Sequence, residues 1–129
     1  RRVLFRSREG SRVAAVVSYF PPTDLRNFVN HERLSRSFPA LLFDADKADD
    51  VSPLLQASQD DAPTLMIHGD QDQLVPIHNS TDMLAAFQAV KVPCKLITIE
   101  GAGHGFSGDN AQRAATAWCD WFDQHLLGK

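Results

Sequence analysis

The stretch that decides the fold is PTLMIHG (residues 63–69), a short apolar run that ends in a histidine and a glycine. An uninterrupted apolar run of this length predicts a strand buried on both faces, as in a parallel sheet. Two runs of the same kind lie on either side of it, VAAVVSY (13–19) and KLITIE (95–100). The chain therefore offers three candidate strands of one buried sheet.

Helices are expected in the connections between these strands. Residues 80–90 and 109–127 keep apolar side chains at helical spacing, and Ser80 or Thr81 can cap the first of these helices. Shorter helices are predicted at 25–30 and 34–42. In the last helix the predicted core stripe is Ala111, Ala115, Trp118, Phe122 and Leu126, with Trp121 beside it.

Strands that alternate with helices across long connections indicate right-handed βαβ units and a parallel sheet. The predicted fold class is therefore α/β, with three parallel strands and flanking helices. Sites in such sheets form at the carboxyl ends of the strands. This rule directs attention to the loops after His68 and after Glu100.

Composition excludes several functional classes. The 129 residues suffice for one domain, and a net charge of −3 does not suit a nucleic-acid binder. No apolar run is long enough to span a membrane. Cys94 and Cys119 are expected to be two ordinary thiols rather than a disulfide framework. The acidic stretch 44–61 lacks the ligand alternation of a calcium loop, so we interpret it as a solvated loop.

The two strand-end loops carry residues suited to acid–base chemistry. Asp70 and Asp72 follow the second strand, and His104 follows the third within GAGHGF (101–106). The two strands are expected to be neighbours, so their loops should lie side by side. A carboxylate beside a histidine holds the imidazole in one tautomer and stabilises its protonated form. These residues predict an oriented general base but do not identify the nucleophile that it would activate.

The same loops resemble a known family. The string LMIHGDQDQLVP (65–76) resembles the acid loop of α/β-hydrolases, and EGAGHGF (100–106) resembles their histidine loop. With YFPPTDL (19–25) and SPL (52–54), the resemblance covers about residues 11–127. It is closest to esterases and lipases that include acetylxylan and feruloyl esterase-like enzymes. Prolyl-oligopeptidase-type serine peptidases and dienelactone hydrolases are similar.

The resemblance implies that the chain is the C-terminal part of an α/β-hydrolase fold, with the last three of eight strands. It assigns Asp72 as the acid and His104 as the histidine of a Ser-Asp-His triad. Asp70 and Asp24 are alternative acids. The Gly-x-Ser-x-Gly elbow that carries the serine is absent from the sequence. The nucleophile and the oxyanion-hole loop are expected upstream, so this chain alone should be inactive.

The first seven residues, RRVLFRS, look like a translated sequencing adapter fused to an environmental reading frame. We therefore expect residues 1–7 to be a non-native leader and residues 8–129 to be the C-terminal portion of a single α/β-hydrolase domain.

Several residues are assigned around the predicted site. Residues expected to border the substrate pocket are Tyr19, Phe20, Val75 and Phe106. His68 is interpreted as a buried structural histidine. The histidines expected at the surface are His31, His78 and His125. Trp118, Trp121 and Phe122 are interpreted as core aromatics.

The predicted activity of the complete protein is hydrolysis of small-molecule carboxylic esters, without metal or cofactor. A serine peptidase of the prolyl-oligopeptidase type is one alternative, and a non-catalytic α/β-hydrolase-like protein is another. No nucleic-acid partner is expected. The sequence leaves cytoplasmic and secreted locations, and the oligomeric state, open.

Overall fold

The structure, a computed structural model, describes residues 12–128, and the leader predicted at 1–7 lies outside this range. Its strands are β1 (Val16–Tyr19), β2 (Thr64–Gly69) and β3 (Cys94–Ile99). They form one sheet in the order β1-β2-β3, and both pairs are parallel. The predicted α/β architecture of three parallel strands with flanking helices is confirmed. β1 begins three residues later than predicted.

Helices occupy the connections, and two of them are long. These are α4 (His78–Ala89) and α5 (Gly108–Phe122), and a π-helical turn at Asp123–Leu127 continues α5. The shorter elements are α1 (Glu32–Ser37), α2 (Ala48–Val51) and α3 (Pro53–Gln56), with 3₁₀ turns at Leu25–Asn27, Pro39–Leu41 and Ala45–Lys47.

The two short helices predicted at 25–30 and 34–42 are broken into smaller pieces. Asn30 takes a positive φ of 54°, which no helix continues. Pro39 disfavours helical backbone at Phe38, so α1 ends at Ser37 and a separate 3₁₀ turn begins. Residues 25–41 therefore form a folded-back segment instead of two regular helices.

The central strand β2 organises the core, because all six of its residues are buried. Its side chains alternate between the two faces of the sheet. Leu65 and Ile67 belong to a cluster on the α5 side, whereas Met66 packs with Met83 and Phe87 on the α4 side. A strand covered on both faces explains the uninterrupted apolar run in its sequence.

The face that α5 buries differs from the predicted stripe. Ala114 is fully buried and Trp121 is nearly so, whereas Trp118 is 38% exposed and Leu126 is 52% exposed. Ala114 and Trp121 lie seven residues apart and share one face of the helix, and that face meets the sheet. The interpretation of Trp118 as a core aromatic was wrong, and that of Trp121 is confirmed.

Two local expectations also need correction. Helix α4 begins at His78, and Ser80 is buried within it instead of capping it. His125 was expected at the surface, but its ring is half-buried and lies 4.2 Å from that of Trp121. His31 and His78 are exposed, as predicted. Within residues 12–128, no helix combines the length and apolarity needed to cross a bilayer.

Candidate active site

The carboxyl ends of β2 and β3 bring two loops together. The Asp70 backbone N–H donates to the Ile99 carbonyl at 3.3 Å, and the Gln71 N–H donates to the Ala102 carbonyl at 2.9 Å. In return, the Gly101 N–H donates to the Asp70 carboxylate at 2.7 Å. These bonds connect the loops directly, so residues that follow the two strands hold a fixed relation to one another. We call residues 70–76 the acid loop and residues 100–106 the histidine loop.

This close approach requires a glycine at the end of β2. A Cβ atom built on Gly69 would lie 2.1 Å from the Ala102 carbonyl oxygen and 2.6 Å from that of Gly103. Both atoms belong to the backbone, so neither can swing aside as a flexible side chain would. Gly69 therefore permits the contact between the acid loop and the histidine loop.

The Asp72 carboxylate is buried and fully engaged. Its Oδ1 accepts hydrogen bonds from the backbone N–H groups of Leu74 and Val75, both at 2.9 Å. Its Oδ2 lies 2.8 Å from Nδ1 of His104. The turn that follows Asp72 thus holds one oxygen and leaves the other for the histidine.

The electrostatics of this pocket favour the ionised form of Asp72. Burial alone would raise the pKa of Asp72, but hydrogen bonds from the Val75 N–H, the His104 side chain and the Leu74 N–H act in the opposite direction. The net result is a pKa below the ordinary value of 3.8. Asp72 is therefore a carboxylate at neutral pH, the form that can orient and stabilise an imidazole.

The lowered pKa of Asp72 predicts an acid-dependent loss of stability. Its folded state binds fewer protons than its unfolded state, so Asp72 stabilises the fold above about pH 4 and loses this contribution as the pH falls through the folded-state pKa. The free energy of unfolding, measured by urea denaturation between about pH 6 and pH 3, should fall more steeply in the wild type than in Asp72→Asn. If the free energy of unfolding fell equally steeply with pH in the two proteins, the lowered pKa of Asp72 would be contradicted.

His104 presents one nitrogen to Asp72 and the other away from it. Nδ1 donates to the carboxylate, so Nε2 is left to accept a proton, and the side chain is 34% exposed. The ring of Phe20 lies 4.4 Å from that of His104. Phe20 has a φ of 37°, an uncommon conformation that carries its ring from the end of β1 across to the histidine loop.

The alternative acids are bound elsewhere. Asp70 accepts from the Gly101 N–H, as described above. Asp24 is held by the Arg26 guanidinium at 2.7 and 2.8 Å, and this pairing is the main cause that lowers the pKa of Asp24. Among the candidate acids, only Asp72 forms a hydrogen bond with His104 in the described residues.

An apolar cavity of about 390 Å³ opens beside His104. Three of the four predicted pocket residues, Tyr19, Phe20 and Val75, line it. Phe106 does not line it and instead packs edge-on against Tyr19 and toward the α5 side of the core. A larger cavity of about 540 Å³ lies on a face of the sheet and includes neither Asp72 nor His104, so it has no direct connection to this chemistry.

The individual residues of the opposite wall of the cavity beside His104 were not identified from the sequence. This wall consists of Phe28, Leu34, Phe38 and Leu41, from the folded-back segment 25–41. Leu34, Phe38 and Leu41 keep helical spacing, but that spacing alone does not show which part of the protein they face. The apolar residues of this otherwise polar segment were the available indication.

The geometry defines a class of protein. An acid and a histidine that are hydrogen-bonded across the ends of neighbouring parallel strands, in that chain order, are the arrangement of α/β-hydrolases. The chain belongs to the prolyl oligopeptidase family (Peptidase_S9), whose family model matches residues 6–129. The α/β-hydrolase prediction is thus confirmed, and the family match falls within one of the groups noted beside the esterases.

Relatives include both peptidases and esterases. The chain is 29% identical over 114 residues to an uncharacterized peptidase, YuxL, of Bacillus subtilis (strain 168). It is 28% identical to a puromycin-hydrolyzing peptidase of Mycobacterium tuberculosis (TM-score 0.71) and 26% identical to a truncated carbohydrate esterase from gut microbiota (TM-score 0.66).

The matches cover most of this chain but a minor part of the relatives. The chain is covered to 85% by YuxL and to 87% by each of the two structures. It spans 17% of the length of YuxL, 18% of the mycobacterial peptidase and 44% of the carbohydrate esterase. Membership of the family is therefore established for a chain that corresponds to only part of the length of these relatives.

Proposed function

We propose that this chain supplies the acid and the histidine of a serine hydrolase, with Asp72 and His104 in those roles. The observation that carries the proposal is the 2.8 Å bond between the buried Asp72 carboxylate and Nδ1 of His104. The two backbone donors to the other Asp72 oxygen support it, because they leave the carboxylate oriented toward the histidine. Residues 8–129 then form the C-terminal portion of a single hydrolase domain.

The proposed mechanism needs a nucleophile from outside this sequence, which has no Gly-x-Ser-x-Gly elbow. A serine attacks a substrate carbonyl while Nε2 of His104 takes the hydroxyl proton. His104 then delivers that proton to the leaving group, and Asp72 stabilises the imidazolium between these steps. Water repeats the sequence on the acyl-enzyme and releases the acid product.

Carboxylic esters with an apolar acyl group are the proposed substrates. In the described residues, the side chains lining the cavity beside His104 are apolar or aromatic, with His104 the one ionisable group apart from the Tyr19 phenol. Such a wall would bind a hydrocarbon or aromatic group and would offer no counter-charge to a cationic one. The similarity to the gut carbohydrate esterase also supports ester hydrolysis.

Peptide hydrolysis is the second candidate. Membership of the prolyl oligopeptidase family and the similarity to two proteins described as peptidases favour it. The apolar cavity would then hold an apolar side chain next to the scissile bond. Both candidates use the same acyl-transfer chemistry and differ in the leaving group.

The distinguishing experiment compares an ester with an amide that share one acyl group. The complete protein is assayed on a p-nitrophenyl ester and on the corresponding p-nitroanilide. An esterase should turn over the ester and leave the anilide unhydrolysed, whereas a peptidase should hydrolyse an anilide with an apolar residue before the bond.

Two controls complete this test. The 129-residue chain alone should hydrolyse neither substrate, because a base without its nucleophile cannot perform acyl transfer. A serine-directed fluorophosphonate should label the complete protein at a single serine. A complete protein with neither turnover nor labelling would instead fit the non-catalytic alternative and refute the proposed function.

A further inference from the structure

A second histidine contacts the candidate acid. His68, the penultimate residue of β2, has no solvent exposure, and its Nε2 lies 3.3 Å from Oδ2 of Asp72. That oxygen is the one that also binds His104. Burial of an imidazole among apolar neighbours is costly unless its nitrogens find partners, so the partners of His68 show what it does.

The hydrogen-bond partners assign the proton on His68. Nε2 lies 2.8 Å from the Val75 carbonyl oxygen, which can only accept, so Nε2 carries a proton. The same nitrogen also lies 3.3 Å from Oδ2 of Asp72, a close contact but not a hydrogen bond. On the other side of the ring, Nδ1 lies 2.7 Å from the hydroxyl of Ser80, which is itself fully buried in α4.

His68 acts on the acid through the turn that follows it. Its Nε2 donates to the Val75 carbonyl, while the N–H of the same residue donates to Oδ1 of Asp72. Nε2 also lies close to Oδ2, the oxygen that binds His104. Loss of the Nε2 donor would free the turn that holds Oδ1.

We propose that His68 is a positioning residue that fixes the rotamer of Asp72 and the turn 72–75, so that the carboxylate stays aimed at His104. This inference rests on the proposed function of Asp72 and His104. The hydroxyl of Ser80, on α4, contacts Nδ1 and so fixes the orientation of the His68 ring. His68 touches no reacting atom, and it acts through Asp72.

Two substitutions of His68 distinguish the roles of its two ring nitrogens. In His68→Gln the side-chain amide can reach the Nε2 position and donate to the Val75 carbonyl. In His68→Asn the amide reaches only the Nδ1 position, so it retains the Ser80 contact and loses the donor to Val75. Because Asn is one methylene shorter than Gln, the free energy of unfolding of both variants is measured beside kcat, and a purely structural role would lower kcat only in step with stability.

The expected result in the complete protein is a loss of kcat without a change in KM. His68→Asn should lower kcat about 10- to 100-fold, because the buried Val75 carbonyl and its turn lose their donor. His68→Gln should stay within about threefold of the wild type. His78→Asn, which removes an exposed histidine from the same region, serves as the matched control and should leave both constants unchanged.

A double-mutant cycle tests whether His68 acts through Asp72. In an Asp72→Asn background, His68→Asn should cause little further loss of kcat, because the carboxylate that it positions is already absent. An equal loss in both backgrounds would overturn the proposal. So would equal kcat values for His68→Asn and His68→Gln. Either outcome would leave the triad assignment intact if Asp72→Asn and His104→Ala remain inactive.

A spectroscopic measurement needs no activity and no variant. In histidine-labelled protein, ¹H–¹⁵N correlation should show a protonated Nε2 on His68 whose hydrogen is protected from exchange with solvent. An unprotonated Nε2 on His68 would overturn the inference, regardless of whether the proposed function holds. Absence of hydrolase activity together with a protonated, protected Nε2 would refute the proposed function and retain the contact with Asp72.

Discussion

Replacement of His104 by alanine should lower kcat/KM of the complete protein for a p-nitrophenyl ester by about 10⁴-fold or more. In the proposed mechanism Nε2 of His104 accepts the serine proton, and the other ring nitrogen, Nδ1, is held by Asp72 at 2.8 Å. Asp72→Asn should lower turnover by a similar factor of about 10⁴, because an amide in that position no longer stabilises the imidazolium or selects the productive tautomer. Steady-state hydrolysis of a p-nitrophenyl ester measures both effects.

Asp24→Asn is the matched control for the acid, since Asp24 is an alternative acid that pairs with Arg26 instead of His104. It should retain turnover within about threefold of the wild type, as expected for a partly exposed ion pair. A large loss in Asp24→Asn together with an active Asp72→Asn would move the acid to the end of β1 and refute the assignment.

Substitution of Gly69 by alanine should destabilise the protein by about 3 kcal/mol, at the upper end of the cost of overpacking. The added Cβ would meet the Ala102 carbonyl oxygen at 2.1 Å, and relief requires β2 and the histidine loop to separate. Urea denaturation followed by circular dichroism measures this loss. Activity should fall with it, since the same separation pulls His104 away from Asp72.

Gly103→Ala is the control for this prediction. Gly103 belongs to the same loop, but the nearest atom to its added Cβ is the Gln71 carbonyl oxygen at 3.9 Å, an ordinary contact. Its free energy of unfolding should stay within about 1 kcal/mol of the wild type. Equal destabilisation by the two substitutions would show that the close contact between Gly69 and the Ala102 carbonyl does not cause the loss of stability.

The sheet and the central pair of the site were predictable because strong, local patterns specify them. The buried run at 63–69 leads without interruption into the acid loop, and parallel topology places the next strand end beside it. These two facts predict, from the sequence alone, that Asp72 and His104 lie close together. Their catalytic roles remain a proposal that the variants above test.

Other features depend on tertiary packing that no local pattern contains. Helix α5 has two adjacent apolar stripes, and helical spacing alone does not decide that the one with Ala114 and Trp121 meets the sheet. The contact of His68 with Asp72 depends on how the acid loop folds back over the end of β2. A histidine at the end of an otherwise apolar buried strand was the available indication that the ring has specific partners.

The wall of the cavity is built differently from the pair that it faces. Asp72 and His104 lie in loops at the ends of neighbouring strands, and backbone hydrogen bonds connect those loops. Phe28, Leu34 and Phe38 belong instead to a segment of short helices and turns. Under the proposed function, substitutions in the segment 25–41 would change the cavity wall and leave the contact between Asp72 and His104 in place. Residues 25–41 are accordingly the natural target for a library that seeks altered selectivity.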